Sequence, residues 1–195
     1  MTKVRLAFAV LFAVILSLGM AAPTFAARYF NADTNQWEDR PTASPRHYKA
    51  IPRTVVPYDT KFKPGTIVIE TSERFLYFVL PGGQAMRYGI GVGRQGFEWQ
   101  GQHAITRKAE WPGWTPPVEM RRRVPDLPAY MPGGPDNPLG ARALYIGATL
   151  YRIHGTSEPW TIGQAVSSGC IRLTNEDIID LYDRVKVGSL VVVHQ

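Results

Sequence analysis

The sequence is poor in cysteine and in histidine. Its single cysteine among 195 residues, Cys170, excludes an intramolecular disulfide. The thiol is therefore a buried small hydrophobe, an intermolecular link or a reactive group. Of the four histidines, His47, His103 and His194 do not cluster with carboxylates at the spacing of metal ligands, so the sequence predicts no metal site.

A hydrophobic run of membrane-spanning length is also missing. The apolar stretch 6–18 is short for a span, which needs about 20 apolar residues. Lys3 and Arg5 precede it and small residues ending in Ala26 follow it, so 1–26 is predicted to be a signal peptide. An uncleaved anchor is the alternative. A lipoprotein anchor is excluded because no cysteine follows the run. Export would place the protein in the periplasm or cell envelope.

A strong excess of one charge is absent. The formal net charge is +6, and removal of 1–26 would lower it to +4, because Lys3 and Arg5 are lost and no acid is. A mildly basic chain suits an anionic surface or polymer. Residues 121–123 are three arginines among prolines without interleaved aromatics, which we interpret as a solvated loop. The sequence therefore predicts no nucleic-acid partner.

The chain after residue 26 divides into two parts. Residues 27–55 are polar and punctuated by prolines, which predicts an extended N-terminal lead-in. Residues 56–195 are predicted to form one domain, because the 169 residues left after signal removal suffice for a single core. Strand-like, β-branched or aromatic runs bounded by turn residues recur along it, at 66–71, 75–80, 84–92, 102–108, 142–153 and 190–193.

The segment 173–187 is predicted to be the one main helix. Thr174 is a candidate N-cap, and Glu176 and Asp177 in the first turn would complement the helix dipole. Apolar residues at helical spacing would form the buried face, and Gly188 would end the helix; the face comprises Ile178, Leu181, Tyr182 and Val185. The predicted fold class is therefore mainly β with one main α-helix.

The segment 111–140 is rich in proline and glycine and contains Trp111 and Trp114. A loop of this length in a compact domain is functional or disordered. The tryptophans favour function, since indoles line binding sites. Trp114 is therefore a candidate substrate-binding residue. Packing on the edge of the core is the alternative, with equal weight.

The glycines of 91–96 match the dinucleotide-binding pattern GxGxxG. That pattern has meaning only between a buried strand and a helix whose N-terminus receives pyrophosphate. The next residues, 97–101, have no helical periodicity. The glycines are therefore assigned to turns, and no cofactor is predicted.

Two segments carry the candidate chemistry: His154-Gly155-Thr156 and Ser167-Ser168-Gly169-Cys170. A thiol has an unperturbed pKa of about 8.5, and a neighbouring imidazole can accept its proton. Attack on a carbonyl creates an oxyanion, and the backbone N–H groups around Gly169 and Cys170 are candidate donors to it. A buried structural thiol and a histidine satisfied at a strand end are the alternatives.

These segments, with Ile171-Arg172-Leu173, Asn175, Asp177, Leu181-Tyr182 and Val185, resemble the catalytic signature of the L,D-transpeptidases of the YkuD-domain (ErfK/YbiS) type. The resemblance covers about residues 56–194. Its upstream part comprises Pro64-Gly65-Thr66-Ile67-Val68, Leu76-Tyr77, Tyr88 to Arg94, Trp114-Thr115-Pro116-Pro117 and Asn137-Pro138-Leu139-Gly140.

The resemblance implies a β-sandwich or open barrel with one main helix, overhung by the 111–140 loop. It assigns Cys170 as nucleophile and His154 as base, oriented by the carbonyl of Gly155. Gly169 would leave room for substrate. The residues assigned to the substrate pocket are Ser167, Ser168, Arg172 and Trp114.

Two details of the resemblance bear on specificity. Many members carry a second histidine where this chain has Ser168, so the contacts of that imidazole are missing here. Arg172 could bind a carboxylate of a peptide stem bidentately. A salt bridge from Arg172 to an acid such as Asp177 is the equally weighted alternative.

The implied activity is acyl transfer on peptidoglycan tetrapeptide stems. The Cys170 thiolate would attack the carbonyl of the third stem residue, and the terminal D-alanine would leave, protonated by His154. An amine of another stem would then yield a 3→3 crosslink, or a lysine of a lipoprotein would attach that protein to the wall. A carboxypeptidase or wall-link hydrolase with the same site, and a non-catalytic peptidoglycan-binding protein, are the alternatives.

Overall fold

The computed structural model describes residues 28–31, 36–39 and 49–195. The predicted signal peptide 1–26 lies outside the described residues. Among the residues described, no helix has the length and apolar character needed to cross a membrane.

The fold is mainly β with few helices, as the sequence predicts. Two helices and a single 3₁₀ turn are found in the described ranges: α1 Val118–Arg123, α2 Asn175–Arg184 and the 3₁₀ turn Pro159–Thr161. The strands are β1 Arg28–Asn31, β2 Gln36–Asp39, β3 Thr54–Pro57, β4 Ile67–Glu70, β5 Phe75–Leu80, β6 Gln84–Gly89, β7 Val92–Gly93, β8 Gly101–Glu110, β9 Arg142–Ile146, β10 Arg152–His154, β11 Ala165–Ser167, β12 Ile171–Arg172 and β13 Leu190–His194.

Nine of these strands form one curled, open sheet. Their order across the sheet is β12-β10-β9-β8-β13-β4-β5-β6-β3, and β11 pairs with β7 beside it. Gly91, just after β6, exchanges two 2.9 Å backbone hydrogen bonds with Arg172 in β12 at the other end of the sheet. The sheet is therefore bent far enough for the residues after β6 to reach β12, which confirms the expected open barrel.

The core follows from the two-residue period of the strands. Ile67 and Ile69 of β4 face the main core, while Val68 between them packs on the opposite face with Tyr77 and Val79. Helix α2 covers the main core. Its residues Ile178 and Leu181 pack there against the strands.

Helix α2 begins where the sequence predicts and ends earlier. The Thr174 hydroxyl accepts a hydrogen bond from the Asp177 N–H at 3.1 Å, the expected N-cap. Ile178 and Leu181 are fully buried. The helix ends at Arg184, and the chain reaches the left-handed turn at Gly188 (φ 92°) in extended form.

The predicted strand 142–153 is instead two antiparallel strands, β9 and β10. Gly147, with φ 54°, starts the turn between them, and the Tyr151 carbonyl accepts from the Ile146 N–H at 3.3 Å. The sequence does not reveal this short turn, because strand-like residues stand on both sides of it. The turn has a consequence for the site, because it brings Leu150 and Tyr151 beside Cys170.

The end of the predicted lead-in 27–55 contacts the domain. Strand β3 pairs antiparallel with β6 at the sheet edge. Arg53, just before β3, donates to Asp177 of α2 at 3.0 Å. The boundaries of the lead-in and of the domain 56–195 stay predictions.

Candidate active site

Two adjacent parallel strands bring Cys170 and His154 near each other. Cys170 immediately precedes β12, which pairs with β10 so that His154 stands opposite Arg172. Strand β12 starts one residue after Cys170, and the Cys170 thiol and the His154 ring line the same cavity. Neighbouring strands are only about 4.8 Å apart. The parallel register therefore brings together two residues that are 16 positions apart in the chain.

Both side chains line one cavity of about 670 Å³. Of the other residues predicted to form the site, Ser167, Ser168, Arg172 and Trp114 also line it, and Gly155 and Gly169 lie next to them in the chain. The remaining lining residues are Thr115, Pro116, Pro117, Val118, Met120, Arg121, Pro138, Leu139, Leu150, Tyr151 and Arg152.

The 111–140 segment supplies one wall of this cavity. It is ordered by a small core of its own, in which Trp114 packs with Met120, Leu127 and Leu139. Backbone hydrogen bonds of 2.8 Å in both directions join Trp114 to Met131. Trp114 thus packs in a small core and also lines the cavity, and its assignment as a substrate-binding residue stays a prediction. The arginines at 121–123 belong to helix α1 rather than to a loop.

His154 is buried and oriented by its own neighbour. Its Nδ1 lies 2.6 Å from the Gly155 carbonyl oxygen. A carbonyl can only accept, so Nδ1 carries the proton and donates it to this contact. Nε2 is then the atom with a free lone pair. A side chain at Gly155 would collide with the Asn175 Oδ1 at the start of α2, which also accepts from the Ala141 N–H at 2.9 Å.

The environment keeps the His154 ring neutral. Burial lowers its pKa to about 3, and the positive charge of Arg172 acts in the same direction. The carbonyls of Gly155 and Leu139 oppose this shift by favouring the protonated ring. At neutral pH the ring is therefore an acceptor at Nε2 and a donor at Nδ1.

The lowered pKa predicts a loss of stability in acid. An unfolded chain binds a proton on histidine near pH 6.5, whereas the folded chain does so only near pH 3. Acidification from 6.5 towards 3 thus favours the unfolded state. Between pH 7 and pH 4.5 we expect the wild type to lose about 2–3 kcal/mol more unfolding free energy than His154→Gln. Urea unfolding of both proteins at the two pH values measures this difference, and parallel losses would contradict it.

Arg172 is paired with an acid that the sequence analysis did not identify. Its Nη1 lies 3.4 Å from Glu158 Oε2, and the two side chains are 5% and 4% exposed. The alternative partner, Asp177, binds Arg53 instead. Glu158 offsets a cation that would otherwise be buried beside His154. Nothing in the local sequence marks Glu158 as buried, since its pairing with Arg172 forms only when the segment 155–170 joins the paired strands β10 and β12.

The Ser167–Cys170 turn is held by Ser167. Its Oγ donates to the Cys170 carbonyl at 2.6 Å and accepts from the Gly169 N–H at 3.1 Å. Ser167 is buried, whereas Ser168 is exposed at the cavity surface. Ser167 therefore shapes the turn that presents the half-buried Cys170 thiol.

Gly169 occupies a position that no other residue fits. Its φ is 100°, and a Cβ there would lie 2.6 Å from Tyr151 Cε1 and 3.1 Å from the Phe97 carbonyl oxygen. Its carbonyl accepts from Trp99 Nε1 at 2.8 Å, and the Trp99 ring stacks on Tyr151 at 4.4 Å. No sequence motif marks these aromatic residues as neighbours of Cys170. The only signal was that Phe97 and Trp99 follow a glycine-rich turn.

Gly169→Ala should impair activity beyond its effect on stability. Gly188 is the matched control, since it has φ 92° but no atom within 4 Å of an added Cβ. The left-handed backbone should lower the free energy of unfolding of both alanine variants by about 1–3 kcal/mol. Only Gly169→Ala must displace Tyr151 or the Cys170 turn, so we expect the acyl transfer that the resemblance implies to fall at least about tenfold. Thermal unfolding and turnover of both variants test this; equal turnover would contradict it.

The glycine-rich segment 91–96 does not open a helix. It forms β7, which pairs in parallel with β11, and a turn, and the next element is β8. The helix N-terminus that a dinucleotide motif requires is therefore not at this position. In the described ranges, no group of three or more His, Cys, Asp or Glu side chains is placed to hold a metal ion.

The Cys170 thiol and the buried, neutral His154 imidazole line one cavity of a curled β-sheet, an arrangement typical of sites that use a cysteine nucleophile. Comparisons with known proteins identify the family. The model of the L,D-transpeptidase catalytic domain, YkuD, matches residues 64–193. The chain therefore belongs to the YkuD-type L,D-transpeptidase family, which confirms the resemblance.

Individual relatives agree with this assignment. The probable L,D-transpeptidase ErfK/SrfK of Escherichia coli (strain K12) is 42% identical over 180 residues, 86% of this chain and 57% of that protein. This chain thus spans little more than half of that relative's length. A crystal structure of an L,D-transpeptidase from Mycobacterium tuberculosis H37Rv shares the fold with a TM-score of 0.52, at 17% identity over 67% of this chain and 57% of the other.

One solved relative carries a different name. The crystal structure of a probable carnitine operon oxidoreductase caia from Brucella melitensis is 45% identical, with a TM-score of 0.51. The match covers 84% of this chain and 100% of that chain.

Proposed function

We propose that this protein is a cysteine-dependent L,D-transpeptidase that acts on peptidoglycan tetrapeptide stems through a thioester. The observation that carries the proposal is the orientation of His154. The 2.6 Å contact of Nδ1 with the Gly155 carbonyl leaves Nε2 as the acceptor, and the His154 ring lines the same cavity as Cys170. Family membership supplies the class of substrate.

In the first step Cys170 Sγ attacks the carbonyl carbon of the third stem residue, and its proton passes to His154 Nε2. The resting ring is a weak base because burial and Arg172 lower its pKa. Negative charge on the sulfur and then on the oxyanion raises that pKa, so protonation accompanies attack. When the tetrahedral intermediate collapses, the C–N bond breaks and His154 returns the proton to the departing D-alanine amine.

In the second step an acceptor attacks the thioester. Neutral His154 takes a proton from the acceptor, the C–S bond breaks, and the sulfur leaves as Cys170 regains its proton. An amine of a second stem gives a 3→3 crosslink, a lysine of a lipoprotein gives wall attachment, and water gives carboxypeptidase activity. All three routes share one acyl-enzyme.

The cavity suits an anionic peptide. Pro116, Pro117 and Pro138 form a rigid apolar wall, and Arg121 and Arg152 add positive charge. Peptide stems carry several carboxylates, which guanidinium groups bind well. Because Glu158 already pairs with Arg172, we assign Arg172 to the support of the pocket and assign the carboxylate contacts to Arg121 and Arg152. Ser168 and Trp114 complete the proposed substrate surface.

We further propose export into the periplasm or cell envelope, directed by 1–26, with the lead-in 27–55 preceding the catalytic domain 56–195. This would bring the site to its substrate, the wall. The partners would be peptidoglycan stem peptides and, for one of the acceptors, a wall-attached lipoprotein.

Oxidoreduction is not favoured by the site, although one relative carries that name. The helix that a dinucleotide motif needs does not follow Gly91–Gly96. A non-catalytic wall-binding protein would need neither a thiol nor a histidine with a fixed tautomer. Sedimentation with purified sacculi separates binding from turnover.

The deciding experiment incubates purified protein with disaccharide-tetrapeptide, with and without an added amine acceptor, and follows the products by mass spectrometry. We expect release of D-alanine, an acyl adduct on Cys170 and, with the amine, a transfer product. Release without transfer would identify a carboxypeptidase. Neither release nor adduct would contradict the proposed function.

A further inference from the structure

A tryptophan that lies outside the catalytic motif contacts the nucleophile turn. Trp99, between β7 and β8, donates its Nε1–H to the Gly169 carbonyl at 2.8 Å. Its ring is stacked on Tyr151, with centroids 4.4 Å apart and planes 2° from parallel. The indole therefore cannot tilt without losing this stack, and the direction of its N–H is fixed.

The contact determines where the Cys170 N–H points. Gly169 and Cys170 are joined by a trans peptide, in which the carbonyl and the N–H point in opposite directions. Trp99 and Gly169 line a second cavity, of about 380 Å³, whereas Cys170 lines the catalytic cavity. A carbonyl held towards Trp99 thus aims the Cys170 N–H away from the second cavity and towards the catalytic one.

The turn needs this restraint because Gly169 is flexible. With φ of 100°, glycine can rotate its peptide plane at lower cost than any other residue. Ser167 Oγ holds the Gly169 N–H and the Cys170 carbonyl, the groups on either side of this peptide. The Trp99 indole holds the carbonyl of the Gly169–Cys170 peptide itself.

We propose that Trp99 is a positioning residue that aims the Cys170 N–H at the oxyanion formed during acylation. The inference rests on the proposed function only in requiring that Cys170 accepts an acyl group. A preset donor is what oxyanion stabilisation demands, since a peptide that must first rotate contributes less to the transition state. Trp99 itself does not contact the substrate.

The test separates attack on a carbonyl from attack on a saturated carbon. Trp99→Phe keeps an aromatic ring next to Tyr151 and removes the N–H donor together with part of the stacked ring area, and the alkylation rate measures any loss of order in the turn that follows from the smaller ring. In acylation by p-nitrophenyl acetate, the Cys170 sulfur gains the acetyl group through an oxyanion, p-nitrophenolate leaves, and His154 takes the thiol proton. In alkylation by iodoacetamide, a carbon–sulfur bond forms, iodide leaves, and no oxyanion arises.

We expect Trp99→Phe to lower the acylation rate about 10- to 100-fold, up to the loss seen when one oxyanion donor is removed. Alkylation should stay within about twofold, and with tetrapeptide kcat should fall while KM holds. Trp160→Phe is the control. Trp160 is a half-buried tryptophan of the 3₁₀ turn that lines neither cavity.

Unchanged acylation in Trp99→Phe would overturn the inference. So would equal losses of acylation and alkylation, because they would show that the indole only keeps the turn folded. Wild-type protein could leave the tetrapeptide intact while Trp99→Phe is still acylated by p-nitrophenyl acetate more slowly than Trp160→Phe. In that case the proposed function fails and the role of Trp99 stands.

Discussion

Replacement of Cys170 by alanine is expected to abolish acyl transfer. The sulfur is the group that would form the thioester, and loss of a catalytic nucleophile costs about 10⁴- to 10⁶-fold in kcat. The side chain is half-buried, and in the described part of the chain its hydrogen-bond contact is a weak one, 4.0 Å from the Leu150 carbonyl oxygen. Its truncation should therefore leave the fold intact. Release of D-alanine and the intact mass of the protein after incubation with tetrapeptide measure the effect.

Cys170→Ser is the matched variant for this prediction. It keeps the shape of the side chain and replaces the thiol by a hydroxyl that is far less readily deprotonated, so its activity should also be near the detection limit. Both variants should unfold at the wild-type temperature within about 2 °C, as expected for a change of a few tenths of a kcal/mol. Full D-alanine release by Cys170→Ala would remove this residue from the mechanism and with it the thioester route.

Replacement of His154 by glutamine is expected to have the second largest effect. The side chain fills similar space, but it cannot accept a proton from sulfur or return one to the leaving amine. Loss of a general base that also serves as the acid costs about 10³- to 10⁴-fold. The decrease should appear in kcat for D-alanine release, with no acyl-enzyme accumulating, because both formation and breakdown of the thioester need the ring.

His194→Gln is the control, since His194 is largely exposed and pairs with Glu70 at 2.8 Å away from the cavity. It should keep wild-type turnover. A pH profile adds a second check, because a ring with a pKa lowered to about 3 stays neutral down to mildly acidic pH. Histidine protonation should then not reduce the kcat/KM of wild type between pH 7 and 5. A decrease centred near pH 6.5 would contradict the buried, neutral ring.

Much of the fold could be predicted because it depends on local patterns. Neighbouring residues suffice to predict strand β4, from the β-branched run at Ile67–Glu70. They also suffice for the start of helix α2, from the N-cap Thr174 and the amphipathic segment that follows it. The turn at Gly147 was missed because residues on both sides of it have equal strand propensity. Helix α1 was missed because it lies within a segment rich in proline and glycine.

The candidate site was predictable to the extent that it is contiguous in the chain. The segments around His154 and Cys170 carry their chemistry in adjacent residues, and family membership confirms the resemblance they suggested. The partners of these segments were not predictable. Glu158 and Trp99 act through a salt bridge and a hydrogen bond that form only when distant strands are brought into register.

The sequence by itself determined which candidate site residues and which secondary structure are present. These are one thiol, one histidine in a motif, a glycine before the cysteine, and a mainly β chain with one main helix. These follow from composition and short-range periodicity, which need no contact between distant residues. The tertiary structure alone decided where these residues lie, which charge they carry and which partners they contact. It placed His154 opposite Arg172 through the parallel pairing of β10 with β12, kept the ring neutral by burial, paired Arg172 with Glu158, and set Trp99 against the Gly169 carbonyl. Burial and register arise from the whole sheet, and no single segment of the chain encodes them.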